Sequence, residues 1–325
     1  MKAVLCTAWG TPDSLIIDEI EVPQVGAGQV RIRVEAAGIN YADLIMIAGQ
    51  YQLKPPFPFV PGMELAGQVA EVGAGVEHLQ IGQRVAAFAY YGAFAEEAVV
   101  PAPAVMPIAD SMDSATAATF MVAYGTSHLA LAHRARLQAG ETLLVHGAAG
   151  GVGLTAVELG KLMGATVIAT AGSQAKLELA KSYGADHLIN YREENFRDQV
   201  REITGAKGAD VIFDPVGGDV FDLSMRCIAW EGRLLVIGFA GGRIPQVPAN
   251  LALVKNCSIV GVYWGAYADK DPAVLQDSLA TLLAWHDQGK LQPHISERYP
   301  LEEAANALNR VRNRQATGRL VLIMG

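Results

Sequence analysis

Cysteine is scarce in this chain. Only three residues of this type, Cys6, Cys227 and Cys257, are spread over 325 positions. An odd number of widely separated cysteines excludes a disulfide framework and is typical of a protein kept in a reducing compartment. The first residues also lack the apolar segment of a secretory signal peptide. We therefore expect a cytoplasmic protein.

Basic charge and long apolar runs are scarce as well. Lysine and arginine number 25 against 33 acidic residues, which gives a net charge of −8. A nucleic-acid surface usually needs clustered basic residues, so we expect no nucleic-acid partner. The longest uncharged stretch, residues 114–132, is rich in alanine, serine, threonine and glycine. A membrane span needs denser leucine, isoleucine and valine, so we expect no membrane partner either.

Apolar residues are abundant, at 51% against 18% charged, and a chain of this length suits two domains. Up to about residue 120, short strand-like runs are separated by glycine and proline, at 15–20, 29–34, 64–72 and 84–89. Residues 30–34 alternate apolar and charged side chains, as a half-buried strand does. This part of the chain is predicted to be a β-rich substrate domain.

From about residue 114, candidate strands alternate with helix-length segments. The strands are predicted at 142–146, 166–170, 186–190, 210–213, 233–237 and 258–262, with helices such as 151–163 and 174–183 between them. Six strands with intervening helices indicate a doubly wound parallel sheet. The fold class is therefore α/β. We predict a β-rich domain over 1–120, completed by 266–325, and the parallel sheet over 121–265.

Two amphipathic helices and one strand are predicted in the last sixty residues. One helix has its apolar stripe between residues 275 and 283, the other between 301 and 311, and the strand spans 319–323. We expect these elements to pack back against the N-terminal domain.

A glycine-rich loop gives the strongest local signal, with the sequence ETLLVHGAAGGVGL at 141–154. A strand ends, small residues turn the chain, and a helix opens, which is the arrangement that binds a pyrophosphate. On the G-x-G-x-x-G template the glycine positions fall on Ala148, Gly150 and Gly153. The loop, which includes Gly151 and Val152, is predicted to hold a dinucleotide.

The end of the second parallel strand predicts which dinucleotide binds. NAD sites usually carry an acidic residue there, about 20 residues beyond the loop. Residues 168–176 contain none and instead offer Gly172, Ser173 and Lys176. Ser173 can also cap the next helix and Lys176 can be a solvated first-turn residue, but capping does not exclude phosphate binding. We predict NADPH.

Seven stretches, taken in order, carry a resemblance over the whole chain. This sequence resembles the quinone oxidoreductase (zeta-crystallin-like) family of the zinc-free medium-chain dehydrogenase/reductase superfamily. The resemblance implies a GroES-like substrate domain, a Rossmann domain, a cleft between them for the nicotinamide, and a homodimer formed around residues 258–262. The stretches are AAGINYAD (36–43), PGMELAG (61–67), IGQRV (81–85), AAGGVG (148–153), GADHLINY (184–191), FDPVGG (213–218) and the glycines at 232 and 238.

The resemblance also bears on metal binding. Zinc alcohol dehydrogenases of the superfamily have a ligand cysteine where this chain has Asn40 and a ligand histidine where it has Met63. Amides and thioethers are poor zinc ligands. The four cysteines of the structural zinc lobe are missing from residues 84–100. We predict no metal, and conjugate reduction depends less on a Lewis acid than alcohol oxidation does.

The family's cleft motif falls on Asn40 and Asp43, which the resemblance makes catalytic candidates. Asn40 can donate to a carbonyl oxygen or to the cofactor, and Asp43 can orient ribose or a water molecule. Asp43 can equally be a turn or helix cap. Tyr51 matches the proton-donating tyrosine of enoyl thioester reductases, although it can also be a packing residue.

Further cofactor contacts are implied on the Rossmann side. They comprise Thr126 near the nicotinamide, Tyr191 near the adenosine phosphate, and residues that follow the fifth and sixth strands, namely Phe239, Tyr263, Trp264 and Gly265. Arg314 and Arg319 are expected to be solvated surface residues and are not assigned to the site.

Three functions remain open on sequence grounds. The first is NADPH-dependent reduction of a small quinone or related conjugated carbonyl compound. The second keeps the cofactor but makes the protein an enone or enoyl-thioester (enoyl-CoA) reductase with Tyr51 as the proton donor. The third is a non-catalytic NADPH-binding protein.

Overall fold

The computed structural model describes all 325 residues, Met1–Gly325, which form two compact units. The first unit comprises Met1–Val122 and Gln292–Gly325, and the second comprises Ala123–Leu291. None of the helices combines the length and apolarity that crossing a bilayer requires.

The strands, numbered along the chain, are β1 (Lys2–Leu5), β2 (Ile16–Glu19), β3 (Gln29–Ile39), β4 (Glu64–Val72), β5 (Arg84–Phe88), β6 (Glu97–Pro101), β7 (Val105–Pro107), β8 (Thr142–Val145), β9 (Thr166–Ala171), β10 (His187–Asn190), β11 (Ala209–Asp214), β12 (Ile228–Val236), β13 (Ser258–Gly261), β14 (Ile295–Pro300) and β15 (Arg319–Ile323). The helices are α1 (Tyr41–Ile47), α2 (Ser114–Ala118), α3 (Met121–His128), α4 (Gly151–Leu162), α5 (Gln174–Ser182), α6 (Phe196–Ile203), α7 (Gly218–Cys227), α8 (Ala249–Lys255), α9 (Tyr267–Lys270), α10 (Pro272–Asp287) and α11 (Ala304–Arg312).

The first unit is built on a seven-stranded sheet. Its strands follow the order β14-β15-β3-β4-β5-β7, with β6 pairing to β3, and β1 and β2 form a separate hairpin-like pair. All pairings are antiparallel except β14 with β15. In β3 the apolar residues Val30, Ile32 and Val34 are buried while the charged residues between them are less so. The alternation seen in the sequence therefore places one face of the strand in the core.

The second unit is built on a six-stranded parallel sheet with the order β10-β9-β8-β11-β12-β13. The strand order reverses direction between β8 and β11, and α4 begins just beyond the end of β8. In doubly wound sheets, ligands bind at this switch point, outside the carboxyl ends of the strands. The α/β fold class, a GroES-like β-rich domain with a Rossmann sheet, is confirmed.

One boundary differs from the sequence-based expectation. Residues 266–291 were assigned to the β-rich domain, but they belong to the second unit, and only the chain from Gln292 returns to the first. The reason is the packing of α10, which buries Leu275, Leu279 and Leu282 and whose Ser278 hydroxyl lies 2.7 Å from His128 Nδ1 within the second unit.

Candidate cofactor and active-site residues

The glycine loop joins β8 to α4. Gly147 adopts a positive φ of 58°, and Gly150 precedes α4 without making a side-chain cap. The first N–H groups of an α-helix have no intrahelical partner. Gly150 has no side chain to cap them, so the loop presents donors and the positive end of a helix dipole to an anion.

Gly153 allows the loop and the helix to lie in contact. A Cβ atom at this position would collide with Gly147 O and lie 2.8 Å from Gly147 C and 3.1 Å from Ala148 Cα. Ala148 is buried, and its N–H donates to Thr170 O at 3.1 Å. The alanine at the first template position therefore fits in the fold, with its N–H bonded to β9. The position at which a glycine is required is Gly153.

The end of β9 gathers the predicted phosphate residues. Gly172 lies against a neighbouring side chain, because a Cβ there would be 2.7 Å from Tyr191 Oη and 3.2 Å from Arg192 Nε. Ser173 occupies the N-cap position of α5 but makes no side-chain cap hydrogen bond. Lys176 lies in the first turn of the same helix. A hydroxyl, a phenol and two cationic side chains thus lie around one helix start.

Arg192 was missed by sequence reasoning. It is exposed and follows directly after Tyr191, just beyond β10. The sequence signal was its position after a parallel strand that neighbours β9 in the sheet, where the two carboxyl ends meet. Its guanidinium adds the kind of charge that a phosphate monoester pairs with.

The remaining predicted cofactor residues lie on the second unit. Thr126 is buried in α3, and Trp264 is buried after β13, with its Nε1 atom 2.6 Å from where a Gly125 Cβ would be. Phe239 packs against Gly217, while Tyr263 is exposed and Gly265 is buried. Phe239 follows the carboxyl end of β12, and Tyr263, Trp264 and Gly265 follow that of β13. Contact of these residues with a cofactor stays a prediction.

In the first unit, Asn40 and Asp43 form a capping box at the start of α1. The Asp43 Oδ2 atom accepts from the Asn40 N–H at 2.8 Å, whereas its Oδ1 atom is buried without a partner. Burial raises the pKa of Asp43 to about 7; the Asn40 N–H lowers it, the Glu64 charge raises it and Arg319 lowers it. Asp43 is therefore a helix cap, and this role does not exclude the predicted role in orienting ribose or a water molecule.

Glu64 and Arg319 join this cluster. The Glu64 Oε1 atom accepts from Asn40 Nδ2 at 3.0 Å and from the Arg319 guanidinium, while Oε2 accepts from the Val122 N–H at 3.0 Å. Burial raises the pKa of Glu64, and the Arg319 charge and the two other donors lower it. Because every partner is a donor and none can accept a proton, the geometry fits an ionised Glu64.

The expectation that Arg319 is solvated is wrong, since only 6% of the residue is exposed. Arg319 opens β15, in which Leu320, Val321 and Leu322 are also buried, and its pairing with Glu64 spans 255 positions in the sequence. The available signal was an arginine at the head of an apolar strand and a lone glutamate within the apolar segment that begins β4.

Tyr51 lies beyond the other end of α1 in the sequence. It is half-buried in the loop after α1, whereas Asn40 precedes the helix. A seven-residue helix is about 10 Å long, so the two residues lie at opposite ends of α1. The structure therefore brings Asn40 and Asp43 together at the start of α1, and the role of Tyr51 stays a prediction.

Replacing Asp43 with asparagine should change how stability depends on pH. A carboxyl with a folded-state pKa near 7 and an unfolded value near 4 stabilises the fold fully below pH 4, and that contribution is lost as the pH rises through 7. The Asp43→Asn side chain can still accept from the Asn40 N–H, but it cannot ionise. We therefore expect its free energy of unfolding not to show this decline and to exceed that of the wild type by about 1–3 kcal/mol at pH 8. Urea denaturation at pH 5 and pH 8 measures it. Asp18→Asn, at an exposed position on β2, is the control, and parallel pH slopes for wild type and Asp43→Asn would contradict the prediction.

Comparison with known proteins identifies the family. A model described as the alcohol dehydrogenase GroES-like domain matches residues 26–110, and one described as zinc-binding dehydrogenase matches residues 151–282. The quinone oxidoreductase-like protein 2 homolog of Nematostella vectensis is 43% identical over 324 residues, which cover 99% of this chain and 88% of that protein. Human quinone oxidoreductase is 32% identical over 327 residues, covering 100% and 98%. The Escherichia coli quinone oxidoreductase complexed with NADPH superposes with a TM-score of 0.93 at 27% identity, covering 99% and 100%.

A GroES-like domain combined with a Rossmann sheet and its glycine loop defines an oxidoreductase of the medium-chain dehydrogenase/reductase superfamily. Within it, this chain belongs to the zinc-free quinone oxidoreductase family, as the resemblance implied.

Zinc, which one family description names, does not fit the residues of this chain. No group of three or more histidine, cysteine, aspartate or glutamate residues is arranged to hold a metal ion. At the two positions that the resemblance assigns to ligands, the Asn40 amide nitrogen donates to Glu64 and Met63 offers a buried thioether. Neither group is a zinc donor of the usual kind.

Proposed function

We propose that this protein is an NADPH-dependent reductase of quinones and related conjugated carbonyl compounds that works without zinc, as a small-molecule enzyme of the cytoplasm. The observation that carries the proposal is the uncapped glycine loop, in which Gly153 lets helix α4 present its N–H groups to a pyrophosphate. Bound NADPH supplies the hydride, and a proton from solvent or from a side chain completes a two-electron reduction of the acceptor.

The preference for NADPH is supported at the end of β9. The hydroxyl of Ser173 is not used for helix capping, and Lys176, Tyr191 and Arg192 surround the same helix start. A 2′-phosphate gains charge-assisted hydrogen bonds from such groups. A ribose 2′-hydroxyl would instead need an acidic acceptor, and residues 171–176 hold none.

A conjugated acceptor is supported by the residues that replace zinc ligands. Reduction of a simple ketone develops charge on one oxygen and benefits from a Lewis acid. Reduction of a quinone or enone spreads this charge over the conjugated system, so hydrogen-bond donors such as the Asn40 amide can suffice. The names of the relatives agree with the quinone member of this class.

The test is NADPH oxidation by purified protein with benzoquinones, naphthoquinones, enones and an enoyl-CoA side by side. We expect turnover with at least one quinone and a higher kcat/KM with NADPH than with NADH. Absence of turnover with every quinone would remove the quinone assignment. Tight NADPH binding without turnover of any acceptor would instead favour a non-catalytic NADPH-binding protein.

The second candidate function, an enone or enoyl-thioester reductase, rests on Tyr51. Tyr51 is half-buried in the loop after α1 and matches the position of the proton-donating tyrosine of enoyl thioester reductases. An enolate must be protonated on carbon and needs a positioned acid, whereas a hydroquinone anion can take its proton from water. Tyr51→Phe should therefore lower enone kcat about 100-fold while quinone kcat changes less than about threefold. Steady-state kinetics with both acceptors measure it, and an unchanged enone rate would exclude Tyr51 as the acid.

We also propose a homodimer through the edge of the Rossmann sheet. Strand β13 has only β12 as a neighbour, and the preceding helix α8 has no buried residue. Leu253 and Val254 on α8, and Ile244 in the segment before it, are more than 60% exposed. An open strand edge beside an apolar patch is typical of a surface that a second copy covers.

A charge on α8 should therefore produce monomers. Because α8 has no buried residue, Leu253→Asp should leave the fold of each protomer intact while it places a charge in the proposed interface. Light scattering coupled to gel filtration should show half the mass of the wild type. Ile81→Asp, at a position that is 72% exposed in the other unit, should leave the mass unchanged. Equal masses for all three proteins would contradict the proposed interface.

A further inference from the structure

The Glu64–Arg319 pair is costly for the fold. Both side chains are almost fully buried, and Arg319 Nε has no hydrogen-bond partner, nor has the neighbouring Asp43 Oδ1. A buried ion pair of this kind is often no more stable than an apolar pair of the same volume. Stability alone therefore does not account for its presence, and the contacts of Glu64 show what else it does.

Glu64 fixes the orientation of the Asn40 side-chain amide, whose two ends have nearly the same shape. An asparagine amide can turn by 180° and exchange its donor and acceptor ends with little change in packing. The ionised carboxylate of Glu64 can only accept, so it holds Nδ2 of Asn40 on its own side at 3.0 Å. The Asn40 backbone N–H donates to Asp43 Oδ2 at 2.8 Å, which fixes the backbone from which this amide projects. The Asn40 amide is thereby held in one of its two orientations, and Nδ2 carries a second N–H besides the one that donates to Glu64.

Arg319 keeps Glu64 ionised, which is the form that can only accept hydrogen bonds and so fixes the Asn40 amide. A protonated or neutral group at position 64 can donate as well as accept, and both orientations of the Asn40 amide would then be satisfied. The guanidinium of Arg319 comes from β15 and contacts the same Oε1 atom that Asn40 contacts. Its charge opposes protonation of Glu64 inside the first unit.

We propose that Glu64 and Arg319 are positioning residues for the reduction, which act by holding the side-chain amide of Asn40 in the orientation that donates to the acceptor. The inference rests on the proposed function, because it takes Asn40 to contact a ligand. It assigns no chemical step to Glu64 or Arg319 themselves.

A double-mutant cycle tests the proposal. Glu64→Gln should lower kcat/KM for a benzoquinone about 10- to 100-fold, as misplaced contact groups do, while the Kd for NADPH, measured by its fluorescence, changes less than about threefold. Asn40→Ala should lower kcat/KM at least as much. If Glu64 acts through Asn40, the double variant should equal Asn40→Ala alone within about twofold.

Glu141→Gln is the matched control. It removes the half-buried Glu141–Arg233 pair, which belongs to the second unit, whereas Asn40 belongs to the first. We expect a comparable loss of thermal stability and a kcat/KM within about twofold of the wild type. An equal loss of kcat/KM in Glu141→Gln and Glu64→Gln at equal stability would overturn the proposal, because the effect would then be structural.

Arg319 provides the second route if Glu64→Gln does not fold. Arg319→Lys keeps a cation beside Glu64 and should retain kcat/KM within about fivefold, whereas Arg319→Met should resemble Glu64→Gln and be equally non-additive with Asn40→Ala. Additive effects in these cycles would overturn this inference alone. Absence of turnover in the wild type with every acceptor would overturn the proposed function and this inference with it.

Discussion

Gly153→Ala should weaken NADPH binding about 100-fold or more. The added methyl group would collide with Gly147 O and lie 2.8 Å from Gly147 C, and both are backbone atoms that cannot rotate away. The loop would have to move from the start of α4, taking its N–H groups out of register with the pyrophosphate. Two charge-assisted hydrogen bonds are worth about 3–6 kcal/mol together, which corresponds to this loss of affinity. Fluorescence titration with NADPH measures the Kd.

Gly160→Ala is the control that distinguishes an effect on the glycine loop from an effect on helix α4 as a whole. Gly160 lies two turns further along α4, and a methyl group there would meet the end of the Leu143 side chain rather than backbone. The same substitution in the same helix should lower thermal stability but leave the Kd for NADPH within about threefold. Equal losses of affinity in the two variants would show that α4 as a whole, and not the loop contact of Gly153, controls binding.

The elements of the fold were largely predictable because their signals are local. Strand β4 spans residues 64–72 and β15 spans residues 319–323, as periodicity predicted. The glycine loop between β8 and α4 was also recognisable, since turn, glycines and helix start lie within about ten residues of each other. Signals of this length depend on backbone geometry more than on tertiary context.

The candidate site was predictable only where it is local. Asn40 and Asp43 lie three positions apart at one helix start, and Ser173 and Lys176 lie at another. The Glu64–Arg319 pairing joins residues 255 positions apart, and no pattern in the sequence connects them. A charged residue in an apolar strand indicates that a partner exists, but only the sheet order shows which one it is.

His146 should make the second unit sensitive to acid. Its ring is fully buried after β8, with Nδ1 2.9 Å from Thr170 Oγ1 and Nε2 2.8 Å from Ser224 Oγ. The Ser224 hydroxyl donates its proton to Val220 O at 2.7 Å. It therefore accepts from His146 Nε2–H, and Nδ1 accepts from Thr170. The neutral ring is satisfied on both sides, and burial lowers the pKa of His146 to about 3.

The direction of the pH effect follows from where His146 takes up a proton in the unfolded and in the folded chain. In the unfolded chain a histidine takes up a proton near pH 6.5, whereas in the fold His146 does so only near pH 3. Its contribution to stability is complete above pH 6.5 and falls by about 1.4 kcal/mol per pH unit below it, or about 2 kcal/mol by pH 5. His146→Gln cannot take up this proton, so its free energy of unfolding should be lower than that of the wild type at pH 7, and the difference should shrink by about 2 kcal/mol between pH 7 and pH 5. Urea denaturation followed by circular dichroism at the two pH values measures both slopes.

His187→Gln, at an exposed position on β10 of the same sheet, should keep the wild-type slope. Equal pH slopes in His146→Gln and the wild type would contradict the assignment. The wild type alone cannot show the effect, because the raised pKa of Asp43 acts in the opposite direction over the same range. Acidification from pH 7 to pH 5 strengthens the contribution of Asp43 while it weakens that of His146. If the chain unfolds in one transition, the two slopes offset each other in the wild type, and each becomes visible as the difference between the wild type and the variant that removes it.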